Sequence, residues 1–156
     1  MTDPDVPPRL GPVVPGTAAL FVYGTLRFPR ILTALLGHVP ALTPATVTGW
    51  RTAALRNRPY PGLVRADGKN AEGLLLAGLS AREWRLLDDF EDDQYALRTL
   101  TLDAAPPRPA AERLPPEAWA YVWVSPGEVR AHTWEAEDFA AHQLDAYAAR
   151  LESALG

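Results

Sequence analysis

The run "AALFVYGTLRFPR" (Ala18–Arg30) constrains the fold more than any other part of the chain. Ala18 to Tyr23 are apolar or strand-forming without a break, which fits a short central strand buried on both faces. Glycine then stops the strand, Pro29 suits the first turn of a following helix, and Gly37 suits its end. A turn between a buried strand and a helix leaves backbone N–H groups without ladder partners, and these can hold an anion or a carbonyl oxygen. Alternatively Gly24 makes only a tight strand-to-helix connection whose amides are satisfied internally. The loop is not a nucleotide P-loop, because the G-x-x-x-x-G-K-[ST] spacing and its lysine are missing.

Downstream, "ATVTGWRTAALR" (Ala45–Arg56) reads as a strand interrupted at Gly49 by a bulge or a close backbone approach. "NRPYPGLV" reads as a loop, and "AEGLLLAGL" (Ala71–Leu79) as a second apolar strand. Ser80 and Glu83 form an S-x-x-E capping box, so a helix starts there. "YALRTLTLD" and "WAYVWV" alternate as strands, with Trp119, Tyr121 and Trp123 on one face of the latter. The proline-rich stretch between them, Ala104–Pro116, is a surface loop. A long C-terminal helix carries Leu144, Tyr147, Leu151 and Leu155 at helical spacing.

With 156 residues, 47% of them hydrophobic, the chain is long enough to bury its own core. The expected organisation is an extended tail over residues 1–16, which hold five prolines, and one domain over 17–156. Cysteine is absent, which excludes disulfides, thiolate nucleophiles and cysteine-bound metal. Net charge is −4 and the basic residues are scattered singly, so a nucleic-acid surface is not expected. No signal-peptide pattern and no membrane-length apolar run occur, which predicts a cytoplasmic protein with no membrane partner. Oligomeric state is not set by the sequence.

The acidic run "LLDDFEDDQY" supplies the other candidate chemistry. If the helix from Ser80 runs on, Glu91 falls within the apolar arc beside Trp84, Asp88 lies just outside it, and Asp89 well outside. A core-facing carboxylate is desolvated and exchanges protons nearer neutrality; a carboxylate beyond a frayed helix end simply meets solvent. The run lacks the glycine and D-x-[DN]-x-[DN] spacing of a calcium loop, and no histidine lies near it. His38, His132 and His142 form no ligand pair, and Ser125 lacks the G-x-S-x-G setting of a nucleophile.

Taken together, "YGTLR" (Tyr23–Arg27) and "LDDFEDDQYALR" (Leu87–Arg98) resemble the gamma-glutamylcyclotransferase-like family, in its avirulence-induced-gene-like branch. Its members carry a Y-G-[ST] loop after the first strand and a later L-D-x-F-E-G-x-x-Y-x-R-like motif. "YPGLV" and "AEGLLLAGL" also look like the family's middle section, so the resemblance spans roughly residues 20–124. One departure stands out: Asp92 occupies the place of the glycine that often follows the glutamate.

The resemblance implies an α+β fold, a small mixed barrel-like β-sheet with flanking helices and a pocket at one end. It implies conversion of a small-molecule gamma-glutamyl substrate into 5-oxoproline and a free amine, with no cofactor and no metal. By resemblance Glu91 shuttles protons, and Tyr23, Gly24, Thr25 and Leu26 cradle the substrate. Arg27 either neutralises a carboxylate or is merely exposed at a helix start, and Tyr95 lines the pocket or donates to substrate. Two other readings remain open: a non-catalytic module that binds a small ligand in the same pocket, and a metal-dependent hydrolase built on the acidic run.

Overall fold

The local signals place most elements where the side-chain periodicities put them. The computed structural model describes residues 7–103 and 116–155. Its strands are β1 (Leu20–Val22), β2 (Ala41–Leu55), β3 (Gly62–Ala77), β4 (Tyr95–Thr101), β5 (Glu117–Trp123) and β6 (Val129–Thr133). Its helices are α1 (Pro29–Leu36), α2 (Ala81–Phe90), α3 (Ala136–His142) and α4 (Leu144–Leu155). The strands form one curled, half-barrel sheet of mixed direction in the order β4-β5-β1-β3-β2-β6.

β1 is central and buried on both faces, as its composition requires. Leu20 and Val22 pack into a cluster shared with all four helices, which includes Ile31, Leu87, Phe139 and Ala148. Phe21 and Tyr23 point the other way, into a cluster with Val47, Leu63, Leu75 and Val122 from neighbouring strands. β5 shows the same division: Tyr121 and Trp123 join the helix-covered cluster, and Ala118, Ala120 and Val122 the other. Alternating residues are thus buried on both sides of the central strands, which is why their sequences carry so few charges.

β1 runs antiparallel to β3 through Phe21↔Leu75 and parallel to β5 through Leu20↔Trp119. It stops after Val22, and at another point along the sheet β3 and β5 pair directly, through Leu63↔Val122. The chain therefore leaves the sheet at Tyr23 between two strands that β1 had separated. At Gly49 the β2–β3 register shifts, and the glycine adopts φ +88°, a bulge that only glycine accommodates without strain.

Four expectations are corrected. Residues 7–16 are not an extended tail: Pro8–Leu10 form a 3-10 turn, and Leu10 and Val13 are buried. Residues 1–6 lie outside the described residues. The loop read over "NRPYPGLV" ends at Pro61, and β3 begins at Gly62, since a proline immediately ahead of a strand costs no ladder bond. The C-terminal region is not one long helix: β6 precedes it, and the chain breaks at Gln143 (φ −131°, ψ −24°) between α3 and α4. Finally α2, which starts on the expected Ser80/Glu83 capping box, ends at Phe90 instead of running through Glu91. The proline-rich stretch 104–115 is outside the described residues. Among the described residues no helix is long and apolar enough to cross a membrane.

Candidate active site

Where β1 leaves the sheet, a cavity opens whose empty space, mouth included, is about 450 Å³. One wall is Phe21 to Leu26, which carries the chain out of β1 through Gly24 into a 3-10 turn at Thr25–Arg27. Within such a turn the first donors have no partner, and among the described residues no backbone or side-chain acceptor takes the N–H of Gly24, Thr25 or Leu26. Gly24 is required here by close approach: a Cβ would lie 2.8 Å from Cδ and Cγ of Pro61 on the opposite wall.

Glu91 and Asp92, at the C-terminal end of α2, line the same cavity. Glu91 arrives there by a different route from a continued helix. Its backbone turns extended (φ −78°, ψ 135°), while its N–H still caps the helix by donating to the carbonyls of Leu87 and Asp88. Burial pushes its carboxyl up to about 8, opposed by the Arg9 charge and reinforced by Asp88 and Asp92. The residue is only half-buried overall because it meets the cavity, and among the described residues no side chain hydrogen-bonds its carboxylate.

Tyrosines make up much of the remaining lining: Tyr23, Tyr60, Tyr95, Tyr121 and Tyr147. Burial pushes the phenols of Tyr23, Tyr95, Tyr121 and Tyr147 up, and burial with donation to Asp92 takes Tyr60 to about 12. All five stay protonated at neutral pH, so Glu91 is the cavity group whose ionisation lies closest to neutrality. Several hydroxyls are already committed. Tyr95 donates to the Pro61 carbonyl at 2.5 Å, Tyr23 to the Tyr121 carbonyl, and Tyr121 to Asp88 at 2.7 Å.

Asp92, the departure noted in the sequence, is held by the Tyr60 hydroxyl at 2.6 Å, the Gln94 N–H at 2.8 Å and Arg58 Nε at 3.4 Å. Burial works against its ionisation, yet these donors and the Arg58 charge keep its carboxyl below the usual value. The extra charge is thus partly offset by Arg58, and what remains acts on Glu91.

The structure brings Tyr23, Gly24, Thr25, Leu26, Glu91 and Tyr95 to one cavity. It sends Arg27 elsewhere, to a broader groove shared with Arg51, Lys69, Glu72 and Glu137. Several contributors were missed. Tyr147 reads in sequence as one of a stripe of core positions, yet it reaches the cavity and meets Phe90 edge-on at 6.3 Å. Asp88, placed outside the apolar arc, is only 4% exposed, because Tyr121 and Arg9 follow it inward. Arg9, in a proline-rich segment without periodicity, left no signal at all.

Comparison with known proteins bears on the family and the fold. The family described as gamma-glutamyl cyclotransferase, AIG2-like, matches residues 20–146. AIG2-like protein C of Arabidopsis thaliana is 29% identical over 127 residues, covering 81% of this chain and 71% of that protein. AIG2-like protein D of the same plant is 26% identical over 133 residues, covering 83% of each. A solution structure from Arabidopsis thaliana superposes with a TM-score of 0.62 at 22% identity, over 91% of this chain and 84% of that one, which shows the shared fold. A match over so much of the sequence, on a fold that gathers both motifs at one cavity, shows that the chain belongs to the gamma-glutamyl cyclotransferase, AIG2-like family.

Proposed function

We propose that the protein converts a gamma-glutamyl amine or amino acid into 5-oxoproline and the free amine, with Glu91 as general acid and base. The observation that carries this reading is the shared cavity: Glu91 and the turn with unpaired amides after β1 line one aromatic-walled hollow.

The substrate brings its own nucleophile. Its α-amine attacks its γ-carbonyl carbon, a C–N bond forms, a five-membered ring closes, and the carbonyl oxygen becomes an oxyanion. The Glu91 carboxylate first takes a proton from the α-ammonium and later returns it to the departing nitrogen as the old C–N bond breaks. A second proton leaves the ring nitrogen for the same amine, so the products are a lactam and an ammonium, and no water is consumed. A carboxyl titrating near 8 serves both directions at neutral pH, because neither form is costly to reach. The amides of Gly24, Thr25 and Leu26 offer fixed donors to the oxyanion or the α-carboxylate. The neutral phenols shape the cavity without competing for the proton.

The test is 5-oxoproline release from a panel of gamma-glutamyl compounds, with and without chelator. Turnover that survives chelator and disappears in Glu91→Gln is the expected result. No product from any compound, while a control enzyme works, would end the catalytic reading. Asp92 in place of glycine favours the alternative, a binding module without turnover, and thermal stabilisation by such compounds without product would establish it.

A further inference from the structure

We propose that Arg9 is the positioning residue of the site: its guanidinium clamps the backbone that carries Glu91 and so sets how fast the proposed reaction runs. The inference rests on the cyclotransferase reading for its kinetic consequence. Arg9 precedes the residues matched by the family, 20–146, so this support comes from outside the shared region.

The end of a helix leaves its last carbonyls without intrahelical donors. One of those carbonyls, that of Asp88, and three from the segment that follows accept from a single side chain. Arg9 Nη2 donates to the carbonyls of Asp88 at 2.8 Å and Glu91 at 3.2 Å. Its Nη1 donates to those of Asp92 at 2.9 Å and Tyr95 at 3.1 Å. Nε lies 3.0 Å from Oδ1 of the buried Asp88. The four Nη donations reach four carbonyls and the charge lies against the Asp88 carboxylate, a match to the rigid fork that an ammonium cannot reproduce.

The clamp is itself held in place. Leu10 and Val13 are buried beside it, and the Gly16 N–H donates to the Leu79 carbonyl at 3.0 Å just ahead of α2. The guanidinium lies 5.2 Å from the centre of the Tyr121 ring, whose hydroxyl donates to the same Asp88. Glu91's own carbonyl is one of the acceptors, so the Cα that bears the catalytic carboxyl is tied on its C-terminal side by Arg9 and on its N-terminal side by the helix. The charged groups acting on that carboxyl are Arg9, Asp88 and Asp92, with the neutral tyrosines around it. Arg9 is the cation among those three.

The experiment compares wild type with Arg9→Met, similar in length and uncharged, and Arg9→Lys, which keeps the charge but not the fork. Backbone hydrogen exchange of residues 91–95, the pH titration of the Glu91 carboxyl by NMR, and kcat and KM for 5-oxoproline release are measured on each folded protein. For Arg9→Met, exchange in this segment rises about tenfold or more while that of β3 stays unchanged. The Glu91 midpoint moves up because a cation has gone, and kcat falls about 10- to 100-fold with little change in KM. For Arg9→Lys, the midpoint stays near that of wild type while exchange and kcat still change. Unchanged exchange and an unmoved Glu91 midpoint in folded Arg9→Met overturn the clamp. If Arg9→Met does not fold, unchanged exchange in Arg9→Lys overturns it instead. If wild type releases no 5-oxoproline, the cyclotransferase reading fails, and exchange and titration still decide the role of Arg9.

Discussion

Replacing Glu91 by Gln removes a charge whose cost follows from where the carboxyl sits. In the folded chain it titrates at about 8, against an ordinary value of 4.5 when exposed to water. Between those two pH values the folded protein holds a proton that the unfolded chain has released, so stability falls as pH rises. The stability is complete below about 4.5, declines through about 8, and is level beyond it. At about 1.4 kcal/mol per pH unit, the ionisation costs wild type on the order of 3 kcal/mol at pH 7 and 4 to 5 above pH 8. Gln has the same shape and does not ionise, so the variant should gain on wild type by these amounts as pH rises, offset by a constant for burying the amide. Water in the cavity reduces the figures; a relative gain of about 1 kcal/mol between pH 5 and pH 8 is the least that fits. Urea unfolding followed by tryptophan fluorescence at pH 5, 6, 7 and 8 measures it. Parallel stability curves for the two proteins would refute the claim that Glu91 is desolvated, and with it the physical basis of its proton shuttling. The expected pairing is a more stable protein without turnover, the trade that strained functional groups commonly make.

Three further outcomes can be checked. Gly24→Ala would set a Cβ 2.8 Å from the Pro61 ring, and the forced shift should cost about 1 to 3 kcal/mol, read as a lower melting temperature; an unchanged melt would show that the two walls are not in fixed contact. Asp92→Asn keeps an acceptor for the Gln94 N–H and removes a charge that raises the Glu91 carboxyl. The acidic limb of kcat/KM should therefore move to lower pH, and an unmoved limb would argue against Glu91 as the titrating group. Tyr121→Phe strips a 2.7 Å donor from buried Asp88 at a cost of about 1 to 3 kcal/mol; an unchanged urea midpoint would mean that Arg9 alone satisfies that carboxylate.

What could be read from the sequence were features set by near neighbours. The capping box of α2, the proline at the start of α1, the bulge at Gly49 and the alternation of β4 and β5 all depend on residues a few positions apart. β6 could not be read this way, because "VRAHT" is a largely exposed edge strand without an apolar face. The first half of β3 was hidden because Pro59, Pro61 and Gly62 mark a turn, while its pairing with β2, such as Trp50↔Arg65, comes from across the hairpin. In the site, the Gly24 turn and Glu91 were legible as two motifs in order. Their supports were not. Tyr60 reaches Asp92, and Arg9 reaches Asp88, only through tertiary contact, and nothing in the local pattern around either residue records its partner.

The pairing of β1 has a consequence for how the chain is made. Its three residues are bonded on one edge to β3, and on the other edge Leu20 pairs with β5, which lies much further along. During synthesis the first strand therefore waits, half-paired, until the ribosome has released the segment around Trp119. Such distant contacts close slowly, because much chain entropy must be lost before they form. The earliest of these six strands to emerge is thus among the last to be secured, and a nascent chain halted before that point exposes an apolar edge at the centre of its future sheet.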